Sequence, residues 1–441
     1  MQVGIVGIGH VGLVTAAALA HMGHDVRGTD VDQEKLFKLS RGETPFFEPG
    51  LAELVEKGLR SGKLAFPVGP AEVVAGTEVV LLCVGTPPNA QGDANLVAVE
   101  HAATEVARNA DGPLVVVEKS TVPAGTADRL AKALARERPD VEFEVVSNPE
   151  FLRQGSAVQD ALEPDRILVG AGSERGFEVM RRLYEPLTSK GHRLIETDVG
   201  TAELAKHACN AFLALKISYA NALARLGERA GADVTQVAEV MGSDTRIGPA
   251  FLGAGIGFGG YCFPKDLTAF DDMASRLGYD FPFLREILRI NSEAVEAAAD
   301  KVRDELWNVE GKTVAVLGLS YKPNTDDVRL SPALALARRL LELGASVVGY
   351  DPAAQGSAKA EVPGLEVAAD PYRAAEGAHA LVIATEWDEF KELDLPRLRD
   401  AMAYPVLVDG RNLLDPQAVR DAGFTYYAMG RPAIASGDRK R

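Results

Sequence analysis

The sequence predicts an α/β chain in which two Rossmann-like, doubly wound parallel-sheet domains are joined by a helical middle containing one long helix. Three observations carry this reading. From residue 2 to residue 172, short apolar runs alternate with helical patterns, the order of a parallel sheet covered on both faces. Residues 201–230 contain no proline and one internal glycine. At residue 311 a second strand–turn–helix pattern opens with GKTVAVLGLSYKP.

Taken in order, residues 2–6 read as a buried strand, and GIGHVG turns into a helix that ends near Met22. Strands are expected at 24–30, 78–85, 112–120, 143–149 and 166–172, with helices at 94–109 and 124–137 among them. This first domain is expected to span 1–198. The run 201–230 would extend about 45 Å at about 1.5 Å per residue, which suits a helix linking domains or forming a dimer interface. Shorter helices at 233–241, 264–277 and 282–308 complete a central segment, 199–308. Strands at 313–318, 346–350, 380–384 and 405–408 define a second α/β domain, 309–431, which lacks the GxGxxG pattern. The small, charged end, 432–441, is expected to be a flexible tail.

A chain of 441 residues accommodates two to four domains, and 46% hydrophobic with 25% charged residues is ordinary for a globular protein. The net charge of −16 argues against nucleic acid or an anionic membrane as partner, so an anionic ligand would need a local basic pocket. Three widely spaced cysteines (83, 209 and 262) form no disulfide framework and no metal-ligand pair. The apolar first twenty residues lack a basic leader, and glycines 4, 7, 9 and 12 would weaken a signal helix. No stretch approaches the roughly 20 uninterrupted apolar residues of a membrane span. A cytoplasmic location and no metal are therefore expected.

Two motifs carry chemistry directly. Residues 255–266, GIGFGGYCFPKD, deliver Cys262 to the start of a helix, with Pro264 suited to the first turn. A helix N-terminus and a nearby Lys265 both favour the thiolate, so Cys262 reads as a nucleophile; the alternative is a small buried hydrophobe in a glycine turn. Gly7, Gly9 and Gly12 follow a strand and open a helix, and Asp30 ends the next strand where a carboxylate can bond a ribose 2′-OH. That arrangement reads as an NAD site.

Other segments are weaker alone. Cys83–Pro88, Lys119–Pro123 and Asn148–Leu152 all follow strands on the edge where open sheets bind ligands, so together they suggest a site. Cys83, within its strand, reads as structural. Glu203, Lys206 and Asn210 share one face of the long helix, either as a functional row or as a solvated salt-bridge face. Cys209 beside them reads as core packing. The basic residues of Tyr321–Arg329 and of Asp409–Asn412 suit phosphates or a carboxylate, or are surface charge.

From residue 1 to about 431 the chain resembles the UDP-glucose/GDP-mannose dehydrogenase family, most of all its bacterial UDP-glucose branch. The resemblance rests on GxGxVG, CVGTP, KSTVPxGT, NPEFLR, ELAKHACNAFLALKIS, GFGGxCFPKD, YKPNTDDVR, TEW and DGRN in that order. It implies two successive NAD-dependent oxidations of a sugar C6 alcohol to the acid. Cys262 would be the nucleophile, with Lys206, Asn210 and Asp266 assisting at the oxyanion and water. Glu150 would be the acid/base residue, with Thr121 near the hydrolytic water. Gly7, Gly9, Gly12, Asp30, Lys35, Thr86, Thr121, Lys265 and Arg329 match cofactor contacts. Glu150, Phe151, Leu152, Lys206, Asn210, Phe251, Leu252, Gly253, Gly255, Gly257, Phe258, Gly259, Lys322 and Arg411 match sugar-nucleotide contacts. Arg246 resembles an arginine that reaches a neighbouring subunit's site, which implies a homodimer.

Three positions depart from the family pattern. His10 replaces a tyrosine and is expected to alter cofactor contacts little. Gln154 replaces a glutamate near the cofactor, and Tyr261 replaces a serine before the nucleophile, where it could narrow the sugar pocket. GDP-mannose and UDP-2-acetamido-sugar oxidation are the neighbouring alternatives. A non-catalytic nucleotide-sugar-binding homologue and a two-electron hydroxyacid reductase are the others.

Overall fold

The computed structural model describes residues 1–87, 89 and 94–432. Pro88 of the expected loop motif and residues 433–441 of the expected tail lie outside the described residues. The chain forms two compact units. The first comprises Met1–Cys209 with Thr268–Asp280; the second comprises Asn210–Leu267 and the chain from Phe281 onward. No helix among the described residues is long and apolar enough to cross a membrane.

The first unit is built on an eight-stranded sheet. Its strands are β1 (Gln2–Val6), β2 (Asp25–Thr29), β3 (Leu64–Ala65), β4 (Val79–Leu82), β5 (Leu114–Glu118), β6 (Phe143–Ser147), β7 (Ile167–Gly170) and β8 (Leu194–Thr197). The order β3-β2-β1-β4-β5-β6-β7-β8 puts the reversal of winding between β1 and β4, where such sheets open a ligand crevice. Alternation along each strand separates two cores. Val79, Leu81, Val115 and Val117 pack with the helices His10–His21 and Glu174–Thr188 on one face. Val80, Leu82, Leu114 and Val116 pack with Val97–Asn109 and Thr126–Glu137 on the other. Burying each such side chain contributes about 1.5–3 kcal/mol.

One pairing differs from the parallel expectation: β6 and β7 are antiparallel, joined at Ser147 and Gly170. The segment between them therefore leaves and re-enters at the same sheet edge. Asn148–Leu152 stays at the carboxyl ends of the strands instead of crossing to the far side.

The second unit carries a parallel six-stranded sheet of β9 (Thr313–Leu317), β10 (Ser346–Tyr350), β11 (Leu365–Val367), β12 (Ala380–Ile383), β13 (Val406–Asp409) and β14 (Thr425–Ala428). Its order, β11-β10-β9-β12-β13-β14, repeats that of the first six strands. The repetition reaches local detail. Gly7 and Gly318 both adopt positive φ, 96° and 87°, after the first strand of each sheet. Asp30 accepts the Ile8 N–H at 2.8 Å, and Asp351 accepts the Leu319 N–H at 2.7 Å. The second loop is self-filled, however: Asp351 is fully buried and also takes the N–H groups of Ser320, Ala353 and Ala354.

The long helix runs Val199–Ala230, and a second helix begins at Cys262 itself, spanning Cys262–Arg276. Pro264 thus stands third in the helix, still within the turn whose N–H groups need no carbonyl partner.

Candidate active site

The glycine turn of the first unit fits a dinucleotide. A Cβ on Gly12 would stand 1.9 Å from the Gly7 carbonyl oxygen, so only glycine lets this helix approach its strand. At Gly9 a Cβ would meet nothing within 4 Å, leaving open space at the N-terminus of His10–His21, where the backbone supplies no side-chain cap. An open helix N-terminus of this kind suits a pyrophosphate. Burial pushes the Asp30 pKa up, but bonds from the Asp32 and Ile8 N–H groups and from Lys35 Nζ outweigh it. The carboxyl is held below its ordinary value. Lys35 Nζ lies 3.0 Å from Asp30 Oδ2.

Three loops meet at the carboxyl edge of this sheet. Thr86 Oγ1 donates to the Thr121 carbonyl at 2.9 Å, and Ser120 Oγ donates to the Val84 carbonyl at 2.7 Å. Lys119 Nζ reaches Asn148 Oδ1 at 3.1 Å, and Tyr184 OH donates to the same oxygen. Cys83 lies behind them, buried, its thiol pushed up to about 12 by burial, as expected of a structural cysteine.

The long helix binds these loops. Lys206 Nζ donates to the Glu150 carbonyl at 2.6 Å and to its carboxylate at 3.1 Å, with both side chains at most 7% exposed. Two cations lie over the Phe151 ring, the Arg166 guanidinium 4.0 Å and Lys206 Nζ 5.2 Å from its centre. Leu152 N–H donates to Glu150 Oε2. Glu203 accepts the N–H groups of Gly125 and Ala127, and a His207 ring nitrogen lies 2.9 Å from the Val122 carbonyl. Glu203, Lys206 and Asn210 are all buried, which removes the solvated-face reading of this row. Cys209 is half-buried, 3.7 Å from an Arg166 nitrogen.

Behind this row, Glu118 is 1% exposed and neither of its oxygens has a hydrogen-bond partner among the described residues. Burial, then the charge of Glu203, raises its pKa well above the ordinary value. The sign follows. The unfolded carboxyl ionises near pH ~4.3 while the folded one keeps its proton. Stability is therefore complete below that pH and is lost as pH rises toward the folded pKa. Glu118→Gln removes this loss, so its melting temperature should gain on wild type progressively from pH 5 to 8. The divergence should be up to about 1.4 kcal/mol per pH unit; parallel curves would show that Glu118 is ionised in the native protein.

In the second unit the glycine loop is pinned from both sides. Asn221 accepts the Gly255 N–H at 2.8 Å, and Asn291 both accepts from Phe258 N–H and donates to its carbonyl. Arg411 Nη1 donates to the Gly257 carbonyl at 2.9 Å, and Asn412 donates to Ala254. Gly257 has φ 101°, and Phe251 takes a positive φ of 64°, a strained conformation for an aromatic residue. Leu252 and Phe258 are buried here, and Gly253 has open space at its Cβ. A Cβ on Gly259 would fall 2.3 Å from the Leu330 carbonyl.

Cys262, exposed, is the first residue of its helix. One turn on, Asp266 accepts from Asn210 Nδ2 at 2.6 Å and pairs with Lys265 at 2.9 Å. The Arg329 guanidinium lies 4.7 Å from the Tyr261 ring centre and is held on Asp327. Tyr261 is thus a platform for a cation. Lys322 Nζ lies 5.8 Å from the Tyr321 ring. Arg246 projects from this unit, 87% exposed and paired with Asp244.

The first unit therefore gathers Gly7, Gly9, Gly12, Asp30, Lys35, Thr86, Thr121, Glu150, Phe151, Leu152 and Lys206, and the second holds the remaining candidates. Sequence reasoning missed Asn221, Asn291, Glu118, His207 and Glu48. Glu48 joins His10 Nε2 to the Gly155 and Ala157 N–H groups, so His10 supports the segment after Arg153. His207 adjoins Lys206 in the same helical row and could have been found there. No signal marks Asn291 or Glu48.

Residues 1–188 match the NAD binding domain of the UDP-glucose/GDP-mannose dehydrogenase family, residues 200–293 its central domain, and residues 315–416 its UDP binding domain. The UDP-glucose 6-dehydrogenase of Rhizobium meliloti (strain 1021) is 44% identical over 98% of this chain and 100% of its own. A UDP-glucose dehydrogenase structure from Pyrobaculum islandicum is 39% identical, covers 97% of each chain and has a TM-score of 0.91. A UDP-D-ManNAc dehydrogenase structure from Pyrococcus horikoshii is 30% identical, covers 98% of this chain and 100% of its own, and has a TM-score of 0.87.

Proposed function

The chain belongs to the UDP-glucose/GDP-mannose dehydrogenase family, and we propose from this that it oxidises the C6 alcohol of UDP-glucose to UDP-glucuronate with NAD. The observation that carries the reading is the exposed thiol of Cys262 at the first position of a helix, in a glycine loop held by Asn221, Asn291 and Arg411. A two-electron dehydrogenase needs no such thiol, and a binding protein needs no nucleophile.

Bound NAD accepts each hydride. The chain's own residues manage the protons and the oxygen. Glu150, directly or through water, takes the hydroxyl proton as the alcohol becomes an aldehyde. The Cys262 thiolate then adds to the aldehyde carbon, and the resulting oxyanion is stabilised by Lys206 and Asn210. Loss of the second hydride leaves a thioester on Cys262. Water, aligned by Glu150, Thr121 and Asp266, breaks the C–S bond, returning the thiol and releasing the carboxylate. Phe251–Gly259, Lys322 and Arg411 hold the sugar nucleotide, and Thr86, Lys265 and Arg329 join the cofactor contacts.

Along the long helix Phe212, Tyr219 and Leu226 recur every seventh residue and are 61%, 50% and 61% exposed. Exposed apolar side chains recurring on one helix face support a homodimer through the central segment 199–308, with Arg246 serving the partner's site. The segments 1–198 and 309–431 then serve cofactor and sugar nucleotide. None of the three cysteines is in a disulfide, in keeping with a cytoplasmic enzyme.

The test is NADH yield per sugar, with UDP-glucose, GDP-mannose, UDP-N-acetylglucosamine and UDP-N-acetylmannosamine each supplied separately. Two NADH per UDP-glucose, with the others inert, is the expected result. Activity with another sugar alone would keep the mechanism and point to Tyr261, and no NADH from any of them would remove the enzyme reading. Asp30→Ala should lower the preference for NAD over NADP about 10- to 100-fold, the worth of a charge-assisted hydrogen bond of about 1.5–3 kcal/mol. An unchanged ratio would mean that Asp30 does not reach the ribose.

A further inference from the structure

Glu203 belongs to the same buried row as Lys206, yet no step of the reaction uses it. Its two carboxylate oxygens are separately engaged: Oε2 takes the Gly125 N–H at 2.6 Å and Oε1 takes the Ala127 N–H at 3.0 Å. Gly125 has φ 87° and caps the helix Thr126–Glu137 without a side-chain bond of its own. One turn along, His207 meets the Val122 carbonyl, and Thr86 holds the Thr121 carbonyl. The loop carrying Thr121 is therefore fastened at four backbone points, three of them to the long helix.

We propose that Glu203 is a positioning residue: by gripping Gly125 and Ala127 from the helix that carries Lys206, it sets where Thr121 stands. This rests on reading Thr121 as a cofactor and water contact. A carboxylate offers one acceptor to each N–H group, whereas a glutamine would turn its own N–H₂ against one of them. The helix N-terminus favours that anion. Burial raises the pKa of both Glu118 and Glu203, but the Ala127 and Gly125 N–H bonds pull that of Glu203 back down, while Glu118 has no such bonds among the described residues and is raised further by the charge of Glu203.

A double-mutant cycle on kcat and on KM for NAD, with Glu203→Gln and Thr121→Val, tests this. Glu203→Gln should lower kcat/KM for NAD at least about tenfold, in the range expected of a misplaced contact. Thr121→Val should do likewise, and the double variant should be no worse than the poorer single one. Glu118→Gln should leave both constants at wild-type values. Multiplying effects, or a Glu203→Gln enzyme with wild-type constants, would overturn the proposal. Thr121→Val at wild-type rates would instead remove the reading of Thr121, and the proposal with it. If Glu203→Gln does not fold, Glu203→Asp, which keeps the charge and shortens the reach, runs the same cycle with the same outcomes.

Discussion

Cys262→Ser should bind the nucleotide sugar with a Kd within about threefold of wild type while releasing uronate about a thousandfold more slowly or worse, the scale on which loss of a covalent nucleophile is felt. The substitution changes one atom and keeps the hydrogen bonds that hold the loop. Its supports are backbone bonds from Asn221, Asn291 and Arg411 and the packing of Phe258 against Phe263, none of which involves the sulfur. What changes is the nucleophile. A thiol at a helix N-terminus is readily ionised, whereas a serine hydroxyl there needs a general base to lose its proton. The first hydride transfer does not use this residue, so one NADH per sugar should still form in a single turnover, with aldehyde trapped by a hydrazine reagent. Uronate at the wild-type rate would refute the thioester route and revive the two-electron reading.

How much of this was legible in the sequence divides along physical lines. Ten strands are readable because most of them are buried on both faces and so appear as apolar runs, as in VVLL, LVVVE and VLVD. The four that escape, β3, β8, β11 and β14, are the two outer strands of each sheet. Edge strands have one neighbour and partial exposure. LA, LIET, LEV and TYYA are short and mixed, with nothing to set them apart from loops. The antiparallel turn at β7 was also hidden, since ILVG reads the same in either direction.

Site residues follow a similar rule. Cys262, Lys206 and the glycines at 7, 9 and 12 sit in local patterns that announce their chemistry. Glu118, Asn291 and Glu48 act on backbone groups 33 or more residues distant, or on none, so nothing adjacent in sequence marks them. The row Glu203, Lys206, Asn210 shows the boundary between the two cases. Helical spacing puts the three on one face, but spacing cannot say whether that face meets water. Burial decided it, because three polar side chains in a protein interior must each find a partner.

Lys206→Met is the variant whose effects should be largest on stability and activity together. Lys206 and Glu150 form a buried ion pair, and methionine preserves the length of the side chain while removing its charge and three donors. Two losses follow. Glu150 keeps one backbone bond, from Leu152, but its carboxylate and its carbonyl both lose their cation inside the fold. Breaking one side of a buried pair costs about 3–5 kcal/mol, and this should appear as a lowered denaturant midpoint at unchanged slope. Removing a donor at a developing oxyanion costs a further factor of about 10²–10³ in kcat. The two are separable. Adding Glu150→Gln to Lys206→Met neutralises the stranded carboxylate and should recover most of the midpoint, while the loss of the oxyanion donor is read from kcat of Lys206→Met itself, in which Glu150 is intact. A Lys206→Met enzyme that loses stability but keeps wild-type kcat would show that Lys206 acts only by holding Glu150, and the oxyanion would then need another donor.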